Sequence, residues 1–117
     1  VTIVIPADRA HLIADTMAEW QLEEHVDKMA REHGITPLKI PGHIMKQMPP
    51  DWKGWPDRLL IGQHGSLWAE LKSEFGRATR DQLAFGQRLQ DAGGTWFLWR
   101  PSDLIDGTIE RELGRIA

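Results

Sequence analysis

Residues 54–72 read GWPDRLLIGQHGSLWAELK. Two short apolar runs flank Gly62-Gln63-His64-Gly65, a pattern that predicts a β-hairpin with strands over Arg58–Ile61 and Leu67–Lys72. Charge interrupts each run at one end only: Pro56-Asp57 opens the first, and Glu70-Leu71-Lys72 closes the second. Strand side chains alternate, so Trp68, Glu70 and Lys72 share one face and Leu67, Ala69 and Leu71 the other. Antiparallel pairing sets the start of the first strand opposite the end of the second, which brings Asp57 beside Glu70 and Lys72. The interruptions become one cluster.

Outward from the hairpin, the chain alternates helix and strand signals. Residues 1–10 read as a short extended lead-in closed by Pro6. From His11 to His33 the pattern is helical, with Ile13, Met17 and Trp20 and then Leu22, Val26, Met29 and Ala30 at helix spacing, before Gly34 as a C-terminal cap. The proline-rich stretch 35–53 predicts one short strand near Pro37–Ile40 and then a loop. After the hairpin, Thr79-Arg80-Asp81-Gln82 has the form of a capping box ahead of a helix with Phe85, Leu89 and Ala92 on one stripe, ended by Gly93-Gly94. TWFLWR (95–100) reads as a buried strand, and Ser102 or Asp103 caps a last helix carrying Leu104, Ile105, Ile109 and Leu113. A helix between the hairpin and the last strand implies a crossover. The expected fold is therefore α/β, a mixed sheet covered by helices, in a single domain spanning 1–117.

Composition narrows the chemistry. The 117 residues are 41% hydrophobic and 26% charged, the balance of a folded globular chain. There is no cysteine, which excludes disulfide scaffolds, thiolate nucleophiles and cysteine-bearing zinc sites and fits a cytoplasmic setting. No run reaches the length of a membrane span, and VTIVIPADR lacks the plan of a secretory signal. Neither G-x-x-x-x-G-K-[ST] nor G-x-G-x-x-G occurs, so no nucleotide cofactor is expected. Net charge is −3, but it is unevenly placed: residues 39–100 carry nine Lys/Arg against six Asp/Glu, while both flanks are acidic. A basic field around a small acidic cluster suits a metal-dependent site acting on a phosphate backbone, although a mixed solvated surface has the same composition.

Two carboxylates held close together repel unless a divalent cation lies between them, and an oxygen-rich site of this kind suits Mg²⁺ or Mn²⁺. Such an ion activates a water, and Lys72 beside it can contact the phosphate or help orient and deprotonate the attacking water. Glu-x-Lys on a strand is equally the form of an exposed ion pair, so other positions must decide. Glu19 lies close to the Leu22, Val26, Met29 stripe and points toward the core side, with Glu23 a weaker candidate for the same role. Gln82 has a ready task in the capping box and also borders the apolar stripe of its helix. The five histidines show no metal-binding spacing and read as surface or structural residues. Trp52 and Trp55, flanking Lys53 ahead of Asp57, could stack on unpaired bases or simply pack the loop.

With these residues placed, the chain resembles the VRR-NUC branch of the PD-(D/E)XK nuclease superfamily over about Glu19 to Leu113. The resemblance rests on Glu19, Gly54-x-Pro56-Asp57, the Gly-containing turn, Glu70-Leu71-Lys72, Gly76, Thr79-x-x-Gln82 and Ala92-Gly93. It implies a restriction-endonuclease-like core with the active site on the hairpin. It further implies Asp57, Glu70 and the Leu71 carbonyl as metal ligands, Glu19 as an acid assisting metal or water, Lys72 as the catalytic lysine and Gln82 in support. The candidate DNA contacts are Lys53, Trp55, Arg58, Arg77 and Arg80, with Arg58 standing where family members often carry an apolar residue. Small stand-alone members resemble phage and bacterial nucleases, some acting as dimers on Holliday junctions. The expectation is a Mg²⁺- or Mn²⁺-dependent endonuclease for branched or nicked DNA, resolvase or nickase, working as a homodimer in the cytoplasm. The alternatives are a restriction-like or host-DNA-degrading nuclease, or an inactive DNA- or partner-binding module on the same fold.

Overall fold

The computed structural model describes residues 6–117, so the reading of residues 1–5 as extended lies outside them. The elements are α1 (Ala7–Thr16), α2 (Glu19–Glu32), β1 (Thr36–Leu38), α3 (Gly42–Met45), a 3₁₀ turn (Pro50–Trp52), β2 (Arg58–Gly62), β3 (Gly65–Leu71), α4 (Arg80–Asp91), β4 (Trp96–Trp99), α5 (Pro101–Ile105) and α6 (Thr108–Ile116). They form a mixed α/β structure around a four-stranded sheet in the order β1-β2-β3-β4. β1 and β2, and β2 and β3, pair antiparallel, while β3 and β4 are parallel across the α4 crossover. Among the described residues no helix is long and apolar enough to cross a membrane.

Two expected helices are each divided. The helix expected from His11 to His33 breaks at Met17-Ala18, which are extended, and begins earlier, at Ala7. Gln21 accounts for the restart, its Oε1 accepting the Ala18 N–H at 2.8 Å and so satisfying a donor at the new amino end. The break turns Trp20 out to solvent, 59% exposed, away from the apolar stripe expected for it. The last helix is likewise two, α5 and α6, separated at Gly107 with φ +87°. Asp103 does serve the start of α5, accepting the Arg100 N–H at 2.8 Å from within the first turn. The loop expected over 41–53 contains α3 and the 3₁₀ turn.

Alternation along β2 and β3 divides the sheet into two faces. Leu60, Leu67, Ala69 and Leu71 face a core completed by Leu22, Val26 and Ala30 of α2, Trp99 of β4, Leu104 of α5 and Ile109 and Leu113 of α6. The opposite face carries Trp68 and Trp96, neighbours across the β3–β4 pairing. There α4 comes so close that a Cβ at Gly86 would overlap the Trp96 indole. Trp55 fills the remaining space, meeting Trp68 and Phe85 edge-on with ring centroids 5.0 and 5.7 Å apart.

Among the described residues one charged side chain is buried on the core face. Arg58, 4% exposed, sits opposite Ala69 and points at α2. Its Nε and Nη2 donate to the two carboxylate oxygens of Asp27 at 2.8 and 3.0 Å, and Nη1 donates to Glu23 at 3.2 Å and to the Asp57 carbonyl at 2.8 Å. A guanidinium so enclosed and so fully engaged is not a phosphate contact, and the expectation of Arg58 at the DNA surface is corrected accordingly. Bidentate geometry offsets the cost of desolvating the charge. Arg58→Ala should lower the unfolding free energy by roughly 3 kcal/mol, because it leaves Asp27 and Glu23 uncompensated beside the core. Urea denaturation with a loss below about 1 kcal/mol would show that the network contributes little.

Candidate active site

The hairpin strands end where α2 and α4 begin, and the charged residues meet there. Asp57 enters from the loop before β2, and its Oδ2 accepts the Leu71 N–H at 2.7 Å. This bond extends the β2–β3 pairing past its last register pair, Arg58 opposite Ala69, and fixes the Asp57 carboxylate beside Glu70. The approach of residues 50–56 is set by α4. Gly54, with φ +86°, lies so close to the Asp81 carbonyl that a Cβ would overlap it, and Arg88 donates to the Asp51 carbonyl at 3.2 Å while lying over the Phe85 ring. Only glycine combines that backbone conformation with that contact.

Glu70 is 1% exposed. Its Oε1 accepts from Gln82 Nε2 at 2.9 Å and lies 3.8 Å from Lys72 Nζ. Burial first, then the hydrogen bond and charge of Asp57, push the Glu70 carboxyl up from its usual 4.5 to about 9. Lys72 also faces Glu19, 3.9 Å away in the first turn of α2. Glu19 thus reaches the cluster through the lysine. Among the described residues no group of three or more acidic or histidine side chains is gathered closely enough to hold an ion.

Gln82 serves two partners with its two amide atoms. Its Oε1 accepts the Thr79 N–H at 2.8 Å, its own N–H donates to Thr79 Oγ1 at 3.1 Å, and Nε2 remains for Glu70. Helix cap and site support, which compete as readings of the sequence, are one interaction here. The loop after Lys72 is held as firmly, because Arg100 Nη1 donates to the carbonyls of Ser73, Glu74 and Gly76 at 2.8, 3.1 and 2.6 Å.

The geometry therefore brings together Glu19, Asp57, Glu70, Lys72 and Gln82, with Leu71 between two of them on β3. Arg77 and Arg80 lie exposed in and after the loop leaving β3, and Lys53 lies exposed ahead of Asp57. Trp55 is half-buried in the outer layer. Asp27 and the Arg100 clamp escape a reading of the sequence. The signal for Asp27 is its spacing, since Glu19, Glu23 and Asp27 recur every four residues and form one acidic ridge on α2. That ridge meets Lys72 and then Arg58.

The donor set suits a hard divalent cation. A proton kept by Glu70, raised first by burial and then by Asp57, relieves the repulsion between the two carboxylates, and a cation between them would do the same with both ionised. Asp57 and Glu70 would be the side-chain ligands and the Leu71 carbonyl a third oxygen, leaving positions for water or substrate as Mg²⁺ prefers. Comparison with protein-family models and with curated proteins finds no match to this chain.

The raised Glu70 carboxyl links stability to pH. The folded chain keeps this proton to about pH 9 whereas the unfolded chain releases it near 4.5. The stabilisation is complete below the lower value and is lost as pH rises through the upper one. Burial also raises Glu19 and Asp103, with the same sign. In EDTA, Tm should fall from about pH 5 to about pH 9, and Glu70→Gln should remove most of that slope. A flat profile for the unsubstituted protein would contradict the buried, protonated carboxyl. Gln82→Ala should cost about 1 kcal/mol through the lost cap and, by removing an N–H donor that favours the charged form of Glu70, steepen the Glu70-dependent part of the profile; a stability loss with an unchanged profile would reduce Gln82 to a cap.

Proposed function

We propose that this chain is a divalent-metal-dependent, structure-selective DNA endonuclease with a restriction-endonuclease-like core of the PD-(D/E)XK type, resolving or nicking branched DNA. The observation that carries the reading is the meeting of Asp57, Glu70 and Lys72 at one end of the hairpin, with Gln82 bound to the buried carboxylate. A surface ion pair would not bury Glu70 to 1% exposure against a second acid.

In this reading Asp57, Glu70 and the Leu71 carbonyl would hold Mg²⁺ or Mn²⁺, which when bound would supply activation of a water and neutralisation of charge on the phosphate. Gln82 keeps Glu70 oriented, and the Leu71 N–H keeps Asp57 oriented, so neither carboxylate must reorganise during the reaction. Lys72, 3.8 Å from Glu70, supplies a positive charge to a phosphate oxygen and orients the attacking water. Glu19, facing Lys72, holds the ammonium in position and helps order water. The exposed Arg77, Arg80 and Lys53 contact the DNA backbone. One site cuts one strand, so symmetric resolution of a four-way junction requires a twofold dimer.

The test is cleavage of labelled four-way junction, flap, nicked and linear duplex DNA with Mg²⁺, Mn²⁺ or EDTA. Metal-dependent cutting of branched substrates is expected, falling about 10²-fold or more in Glu70→Ala and in Lys72→Ala. Equal cutting of linear duplex would favour the restriction-like alternative. Binding without cutting on every substrate, or cutting insensitive to both substitutions, would overturn the assignment.

A further inference from the structure

The loop that delivers Asp57 also builds a cleft. About 520 Å³ in volume, it is walled by Met45, Met48, Trp52 and Trp55, carries Lys46, Lys53 and Asp81, and reaches Gln82. Gln82 is the residue bonded to Glu70 at 2.9 Å, so one side chain links the cleft to the acidic pair. Its size falls within the roughly 300–1,000 Å³ typical of small-molecule sites. Trp52 and Trp55 stack with centroids 5.1 Å apart and planes 14° from parallel, which leaves one face of Trp52 uncovered by Trp55. Trp55 is committed to packing against Trp68 and Phe85, whereas no aromatic partner other than Trp55 meets Trp52 among the described residues. Lys46 and Lys53 are exposed and have no ion-pair partner among the described residues.

The geometry points to this cleft as a binding site for one unpaired deoxynucleotide next to the scissile phosphate, with its base against the Trp52 indole and its flanking phosphates at Lys46 and Lys53. The inference rests on the nuclease reading for the position of the cut and adds what selects the substrate. A base within a duplex offers only its edges to a protein, so an indole recessed in a cleft meets the face of a base only when that base has left the stack. Stacking tolerates any base, and methionine side chains adapt to its outline. The two lysines complement the phosphates and supply a salt-dependent term common to all sequences. A base leaves the stack at lower cost beside a branch or nick, where stacking is interrupted, than within intact duplex.

The experiment separates this site from the nuclease reading by measuring binding in EDTA, where no metal-dependent cutting occurs. Duplexes carrying a single bulged 2-aminopurine, a bulged abasic residue or no bulge are titrated with the full chain. The bulged base should bind about tenfold more tightly than the abasic control, with a change in 2-aminopurine emission. Trp52→Ala should abolish that preference while leaving affinity for intact duplex unchanged. Trp52→Leu, which keeps apolar bulk but offers no stacking face, should do the same if Trp52→Ala fails to fold. Lys53→Ala should weaken every duplex and make the salt dependence shallower by about one ion. Equal affinity for base and abasic bulges, or a preference that survives both cleft substitutions, overturns the inference even if metal-dependent cutting is found. A preference that obeys the cleft substitutions in a chain that never cuts leaves the nucleotide site standing and removes the nuclease reading instead.

Discussion

The buried guanidinium of Arg58 is the interaction on which the rest of the arrangement depends. It ties α2 to the hairpin through Asp27 and Glu23, and its fourth bond, to the Asp57 carbonyl, sets where the chain enters β2. Two consequences follow from one side chain. Glu19, on the same ridge of α2 as Glu23 and Asp27, is brought to Lys72, and the Asp57 carboxylate is brought to the Leu71 N–H beside Glu70. The core could be closed by an apolar residue at position 58. A charged one adds directional bonds that fix the register between helix and hairpin, a use for which buried ion pairs are known.

From the other face, α4 does the complementary work. Gly54 and Gly86 let the loop before β2 and the indole of Trp96 approach the helix more closely than any side chain would permit. Gln82 then spans the gap between the helix cap and Glu70. The acidic pair is thus held between two layers, by an arginine network on one side and an amide on the other. The pair is accommodated by retaining a proton, and stability falls above neutral pH because the folded chain holds a proton that the unfolded chain releases.

Much of this was legible in the residues themselves. The hairpin, its register and the meeting of Asp57, Glu70 and Lys72 follow from a period of two and antiparallel pairing, rules that tertiary context seldom overrides when both strands have a buried face. The mixed sheet follows from a helix lying between strands that become neighbours. The divided helices were not legible, because apolar spacing runs on across Met17-Ala18 and the break depends on a single bond from Gln21. Arg58 misled for a related reason: an arginine at a strand start beside acids looks exposed until its partners, 31 and 35 residues away in sequence, are brought to it. The two roles of Gln82 could be listed but not chosen between, since the answer depends on a long-range distance to Glu70.

Calorimetric titration of the chain with Mn²⁺ near neutral pH, repeated in buffers of different ionisation enthalpy, tests most directly whether the acidic pair is a cation site. If the ion displaces the proton shared by Glu70 and Asp57, each Mn²⁺ bound should release about one proton, and Glu70→Gln should abolish both binding and release. Absence of binding, or binding that persists in Glu70→Gln without proton release, would contradict the assignment of Asp57 and Glu70 as its ligands.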